Sequence, residues 1–151
     1  MTEKLRFLDN EDGTVTDTKT GLMWTKTDTM NDFKKWVNYQ ESADYVRGLR
    51  EKKFAGYDNW RLPTRDEMVM LYDKTLSNKD TFGKEVHISN QFASGCGLSM
   101  IAQILPGRMW TFVLNLRDGE MSNPHRPDGL NDGLWSLTES ARAVRDVAPS
   151  S

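Results

Sequence analysis

The 151-residue chain carries 20 Lys and Arg against 22 Asp and Glu, for a net charge of −2 and a pI near 5.7. That balance argues against a general polyanion binder, so nucleic acid is not an expected partner. The length suits a single domain over residues 1–151, large enough to bury about two-thirds of its unfolded surface. One cysteine, Cys96, excludes an intrachain disulfide, and no apolar run approaches the roughly 20 residues a membrane helix needs.

From the N-terminus, Phe7-Leu8, Thr14-Val15-Thr16 and Leu22-Met23-Trp24 read as three short strands. Asp12-Gly13 makes the first turn, because Gly takes the positive φ a tight hairpin needs; Thr18 to Gly21 makes the second. The acids Asp9, Glu11 and Asp12 do not form an EF-hand loop, since counting from Asp9 puts Gly13 at position 5 and not 6. Tyr39, Ala43, Val46 and Leu49 lie on one face of a helix predicted over 38–52, with an alternative start at Asp32. Asn38 and Glu41 have capping-box spacing, and Gly56 is expected to end the helix.

Trp60-Arg61-Leu62-Pro63-Thr64 comes next. Pro63 keeps Leu62 extended, and Thr64 with Glu67 forms a capping box that starts a second helix carrying Met68, Leu71 and Tyr72. Trp60 and Leu62 should face the core and Arg61 the other side. Residues 76–107 are dense in Ser, Asn and Gly and predict long loops with brief strands. Trp110, Phe112, Leu114 and Leu116 alternate with Thr111, Val113 and Asn115 ahead of Asp118-Gly119, a hairpin pattern. Residues 122–133 read as a polar loop, and 134–147 as one or two closing strands.

The stretches RFLDNEDGTVTDTKTGLMW and GYDNWRLPTRDEM, with the closing Ala141 to Arg145, resemble a bacterial domain family. It is named after the C-terminal domain of the Legionella collagen-like adhesin. The resemblance implies an α+β, C-type-lectin-like fold, with two helices packed on twisted antiparallel strands and long loops. Val46 and Ala143 stand where the family often has cysteines, which implies apolar packing in place of a bridge. That substitution, with the charged start of the chain, favours a cytoplasmic or phage-borne protein over a secreted or surface-attached one.

Candidate site residues follow. Trp60, Arg61, Thr64, Glu67 and Arg145 form the structural motif, with salt bridges from the arginines expected to Asp58 or Asp17. Trp24, Trp60 and Trp110 are expected in the core. Loops 82–107 and 122–135 are expected to form a binding face, with Asn90, Gln91, Asn123, His125, Arg126 and Trp135 touching the ligand. Arg126-Pro127-Asp128 and Leu130-Asn131-Asp132 are similar to the loops of calcium-dependent lectins. Asp128, Asn131 and Asp132 supply hard oxygens, but the cation at Arg126 opposes a metal, so no cofactor is expected.

The function these readings favour is a non-enzymatic recognition module for a glycan, a polyanion or a protein. One alternative is an accessory protein–protein interaction subunit of a cytoplasmic or phage assembly, as a homo-oligomer or part of a larger complex. The other is an enzyme that uses Cys96 with a histidine; formylglycine-generating enzymes of the same broad fold use two cysteines, and this chain has one.

Overall fold

The computed structural model describes residues 6–104, 111–122 and 140–147. It is a mixed α+β structure with antiparallel sheets and three α-helices among the described residues. The first sheet holds β1 (Phe7–Asp9), β2 (Thr14–Asp17), β3 (Leu22–Thr25) and β9 (Val144–Asp146) in the order β1-β2-β3-β9. Gly13, at φ +92°, makes the first turn as its sequence predicts. The end of the chain therefore pairs with its beginning, with Met23 opposite Arg145 and Trp24 opposite Val144.

Three helices follow in chain order: α1 (Thr29–Phe33), α2 (Tyr39–Glu51) and α3 (Arg65–Leu71). Asn38 and Thr64 cap α2 and α3 with the boxes read from the sequence. Two expectations are corrected here. The helices among the described residues number three, because Asp28 and Asn31 form a further capping box that starts α1. Gly56 does not end α2; the helix stops at Glu51, and Gly56 closes a separate 3-10 turn, Phe54–Gly56.

A two-stranded sheet pairs β4 (Asn78–Lys79) with β5 (Glu85–Val86). A third sheet orders β6 (Ser99–Ile101), β7 (Val113–Asn115) and β8 (Met121–Ser122) as β6-β7-β8. Strand alternation divides the interior into two apolar clusters. Leu22, Trp24, Met100, Leu114 and Val144 pack with Met68 and Leu71 of α3. Met23, Ile101, Val113 and Ala143 pack with Val46 and Leu49 of α2 and with Trp60 and Leu62. Both faces of these strands are thus covered.

That two-sided covering corrects the pattern read for 110–116. Leu114 and Leu116 are buried, but so are Thr111 and Val113 of the opposite set. It also corrects the free loop face expected over 82–107. Irregular backbone is present there, yet Val86, Ile88, Phe92, Cys96, Met100 and Ala102 all lie in the core. Composition rich in Ser, Asn and Gly signals non-repeating backbone; it does not signal exposure. Gly97 lies against Ser140, and a Cβ there would collide with that side chain. No described helix is long and apolar enough to cross a membrane.

Candidate functional site

The Trp60 to Glu67 segment draws five predicted residues together. Trp60 is fully buried, and its indole N–H donates to the Phe54 carbonyl at 3.0 Å. Arg61 and Val144 exchange backbone hydrogen bonds at 2.9 and 2.8 Å, which ties the motif to β9. The Arg61 guanidinium grips both oxygens of Glu67 at 2.7 Å, while Glu67 Oε1 accepts from the Thr64 N–H at 2.9 Å. Arg145 stacks 3.7 Å over the Tyr57 ring and donates to Asn59 Oδ1 at 2.7 Å. The expected partners Asp58 and Asp17 are corrected: Arg61 pairs with Glu67 and Asp146, and Asp17 pairs with Arg6. Charge pairing in this motif is local, set by the helix start and by strand register.

Burial alone would raise the carboxyl groups of Asp17 and Glu67. The Arg6 and Arg61 guanidiniums and the adjacent backbone N–H groups outweigh it and hold both below their ordinary values. A depressed carboxyl stabilises fully above its unfolded pKa, and that stability drains away as pH falls through the folded value. Denaturant titrations should therefore show stability declining from about pH 5 downward. Glu67→Gln should flatten part of that acid limb; identical acid limbs in the two proteins would refute the assignment.

Of the expected ligand contacts, Asn90 is exposed and Gln91 half-buried on one turn. Asn78 Nδ2 anchors that turn by donating to the carbonyls of Ser89 and Phe92 at 2.9 and 3.0 Å. Asn123, His125, Arg126 and Trp135 lie outside the described residues, as do Asp128, Asn131, Asp132 and Trp110. Among the described residues, no group of three or more His, Cys, Asp or Glu is placed to hold a metal ion. Cys96 is buried, and burial pushes its thiol up to about 11, which disfavours the thiolate a nucleophile needs.

A large hollow among the described residues was not legible in the sequence. It opens between α1 and α2, with a volume of about 550 Å³. Phe33 and Tyr45 meet edge to face across it, ring centroids 5.5 Å apart. A second hollow of about 380 Å³ adjoins it and shares Phe33, Asp44 and Tyr45. Phe33 is 47% exposed. The Tyr45 hydroxyl donates to Asp32 Oδ2 at 2.7 Å; burial and then the Asp32 charge push the phenol well above its ordinary value, so it stays neutral and fixed. Asp44 accepts from Gln40 and Arg47 at 3.0 and 2.8 Å, and Lys52 adds a cation to the rim. This is a concave, partly apolar surface with fixed donors and acceptors of both signs, within the size range of small-ligand sites. The one sequence signal available was Asp28-x-x-Asn31, an unusual capping box that starts α1.

A further surface feature is Phe82, 61% exposed, on the turn between β4 and β5. It lies 6.1 Å from the Trp36 ring and 5.8 Å from the Arg117 guanidinium. Buried Asp80 shapes that turn: Oδ1 accepts the N–H groups of Phe82 and Lys84 at 2.8 and 3.0 Å, and Oδ2 accepts from Arg117 at 2.8 Å.

In a comparison with protein-family models, residues 13–143 match the Lcl C-terminal domain. Comparison with curated proteins gives no match. Comparison with solved structures gives none either.

Proposed function

The chain belongs to the Lcl C-terminal domain family, and from that premise we propose a non-enzymatic recognition module that holds a glycan in the cleft between α1 and α2. A C-type-lectin-like arrangement of the α+β elements is part of this reading. The observation that carries it is the exposed Phe33 ring braced against Tyr45, with Asp32, Asp44 and Lys52 around it. A sugar ring offers an apolar C–H face to an aromatic and a rim of hydroxyls that both donate and accept. Carboxylates, the Lys52 ammonium group and the half-buried Thr27 side by side suit that rim better than a ligand of one charge. The buried, high-pKa thiol of Cys96 supports a module without nucleophilic chemistry. Val46 and Ala143, buried in one apolar cluster, support folding that needs no oxidation and hence a cytoplasmic setting.

A glycan array followed by calorimetry with the strongest hit tests the reading, run with and without a calcium chelator. Phe33→Ala should weaken binding at least about ten-fold, or about 1.4 kcal/mol, with little change in melting temperature. Binding should survive the chelator. An array without hits, or a Phe33→Ala variant that binds as well as the parent, overturns the proposal.

The exposed Phe82 ring beside Trp36 and Arg117 favours a second reading, an accessory subunit that makes protein contacts, since such residue types dominate interface hot spots. Loss of a host partner in a pulldown with Phe82→Ser, with glycan binding intact, would select it.

A further inference from the structure

We infer that the flank of α2 opposite the glycan cleft holds a second site, a pocket for the carboxylate of a small monocarboxylic acid. Tyr39, Ala43, Val46 and Arg50 recur along α2 at spacings of four, three and four, one helical face, and all four line a hollow of about 160 Å³. The cleft residues Asp44, Gly48 and Lys52 sit on the other face of the helix. The two sites are therefore separate surfaces of one element.

The charge in this hollow comes from Arg50. Arg61 also lines it, but Glu67 and Asp146 compensate that guanidinium. Arg50 donates one hydrogen bond, to the Trp60 carbonyl at 2.9 Å, which fixes where its head lies. No carboxylate stands within ion-pair distance of Arg50 among the described residues. Two neutral groups complete the polar side. The Tyr39 oxygen accepts from the Ile104 N–H at 3.0 Å, which leaves its own hydrogen to donate. Gln103 is pinned by its Nε2, which donates to the Leu62 carbonyl at 3.1 Å.

One uncompensated cation matches one negative charge. A phosphate near its dianionic form would be left half unpaired, whereas a carboxylate is matched and can take the guanidinium fork. The wall of Ala43 and Val46 offers a short hydrocarbon stem apolar contact. At about 30 Å³ per water-sized group, the hollow takes on the order of five such groups, the scale of butyrate.

The test is a methyl-detected NMR titration of the full chain with sodium butyrate, with sodium chloride at matched ionic strength and with sodium phosphate. Butyrate should move the Ala43 and Val46 methyl signals along a saturating curve in the millimolar range. Chloride should not saturate, and phosphate should bind more weakly than butyrate. Arg50→Gln should weaken butyrate at least ten-fold while the loss of its bond to the Trp60 carbonyl lowers the melting temperature by no more than about 2–4 °C, and Gln103→Ala should weaken butyrate by less. Butyrate shifts no different from those of chloride, or an Arg50→Gln variant that binds as tightly as the parent, overturn the site. Phosphate binding more tightly than butyrate overturns the carboxylate assignment. Phe33→Ala should leave the titration unchanged, so a failed glycan site and a failed carboxylate site are told apart.

Discussion

Trp60→Ala is expected to cost about 3–5 kcal/mol of folding stability. The indole is fully buried and sits where three parts of the chain meet. Phe54 and Tyr57 contact its ring with centroids 5.9 and 6.4 Å away, and Val46 and Leu49 of α2 share its apolar cluster. Its N–H is the second donor to the Phe54 carbonyl, after the Tyr57 N–H, so truncation leaves a void and removes one of the two hydrogen bonds which that carbonyl accepts. Neighbours on opposite sides belong to a helix and to strands whose pairing is fixed, so they cannot close the void. Each kcal/mol moves the midpoint of a domain this size by about 2–4 °C, so a fall of roughly 10 °C should appear by calorimetry. Trp60→Phe should recover more than half of it, because the ring volume is largely kept. A loss under about 1 kcal/mol for the alanine variant would mean that the motif does not organise the core.

The same motif shows how much the sequence carried. Thr64 and Glu67 could be read because a capping box is a local device: three residues of separation fix the partners, whatever the rest of the chain does. Asn38 and Glu41 were legible for the same reason, and the first hairpin because Asp12-Gly13 requires a positive φ. Partners of Arg61 and Arg145 were not legible. Glu67 is near Arg61 in sequence, but no spacing rule marks a pair six residues apart; Asp146 and the contacts of Arg145 depend on β9 lying antiparallel to β3, a pairing across more than 100 residues that no local pattern encodes. The segment 82–104 misled for a different reason. Its apolar residues lack both periodicities, so nothing in the order of Val86, Ile88, Phe92 and Cys96 declares which side faces in. Their burial follows from irregular backbone pinned by side chains such as Asn78 and Asp80. The cleft was hidden similarly, because Phe33 and Tyr45 meet only once α1 has been set beside α2.

What sets α1 in that position leads to the second large effect, at Asp28. A five-residue helix cannot hold itself in water, because nucleation costs more than one turn of hydrogen bonds returns. It must be tethered, and its tethers come from far along the chain. Asp28 Oδ1 accepts from Asn31 N at 2.9 Å, and Oδ2 accepts from the buried Gly97 N–H at 2.9 Å. Thr29 exchanges bonds with Ala141, its N–H to the Ala141 carbonyl at 2.9 Å and its Oγ1 from the Ala141 N–H at 3.0 Å. Asn31 Nδ2 reaches the Ser94 carbonyl at 2.9 Å. Asp28 is 3% exposed, so a donor left unpaired there finds no water. Asp28→Asn is close to isosteric, and asparagine caps helices well, so its oxygen can keep the bond to Asn31. Its NH2 then faces the Gly97 N–H, donor against donor, at a cost of about 1–3 kcal/mol. Asp28→Ala loses the cap as well and should cost about 2–4 kcal/mol. The Gly97 amide should exchange with solvent faster in both variants, as hydrogen-exchange NMR can read directly. Because Asp32 and Phe33 ride on α1, glycan affinity at the proposed cleft site should fall in both variants although Asp28 does not line the cleft. An Asp28→Ala protein with the parent's melting temperature and Gly97 exchange rate would show that α1 is held by something other than these tethers.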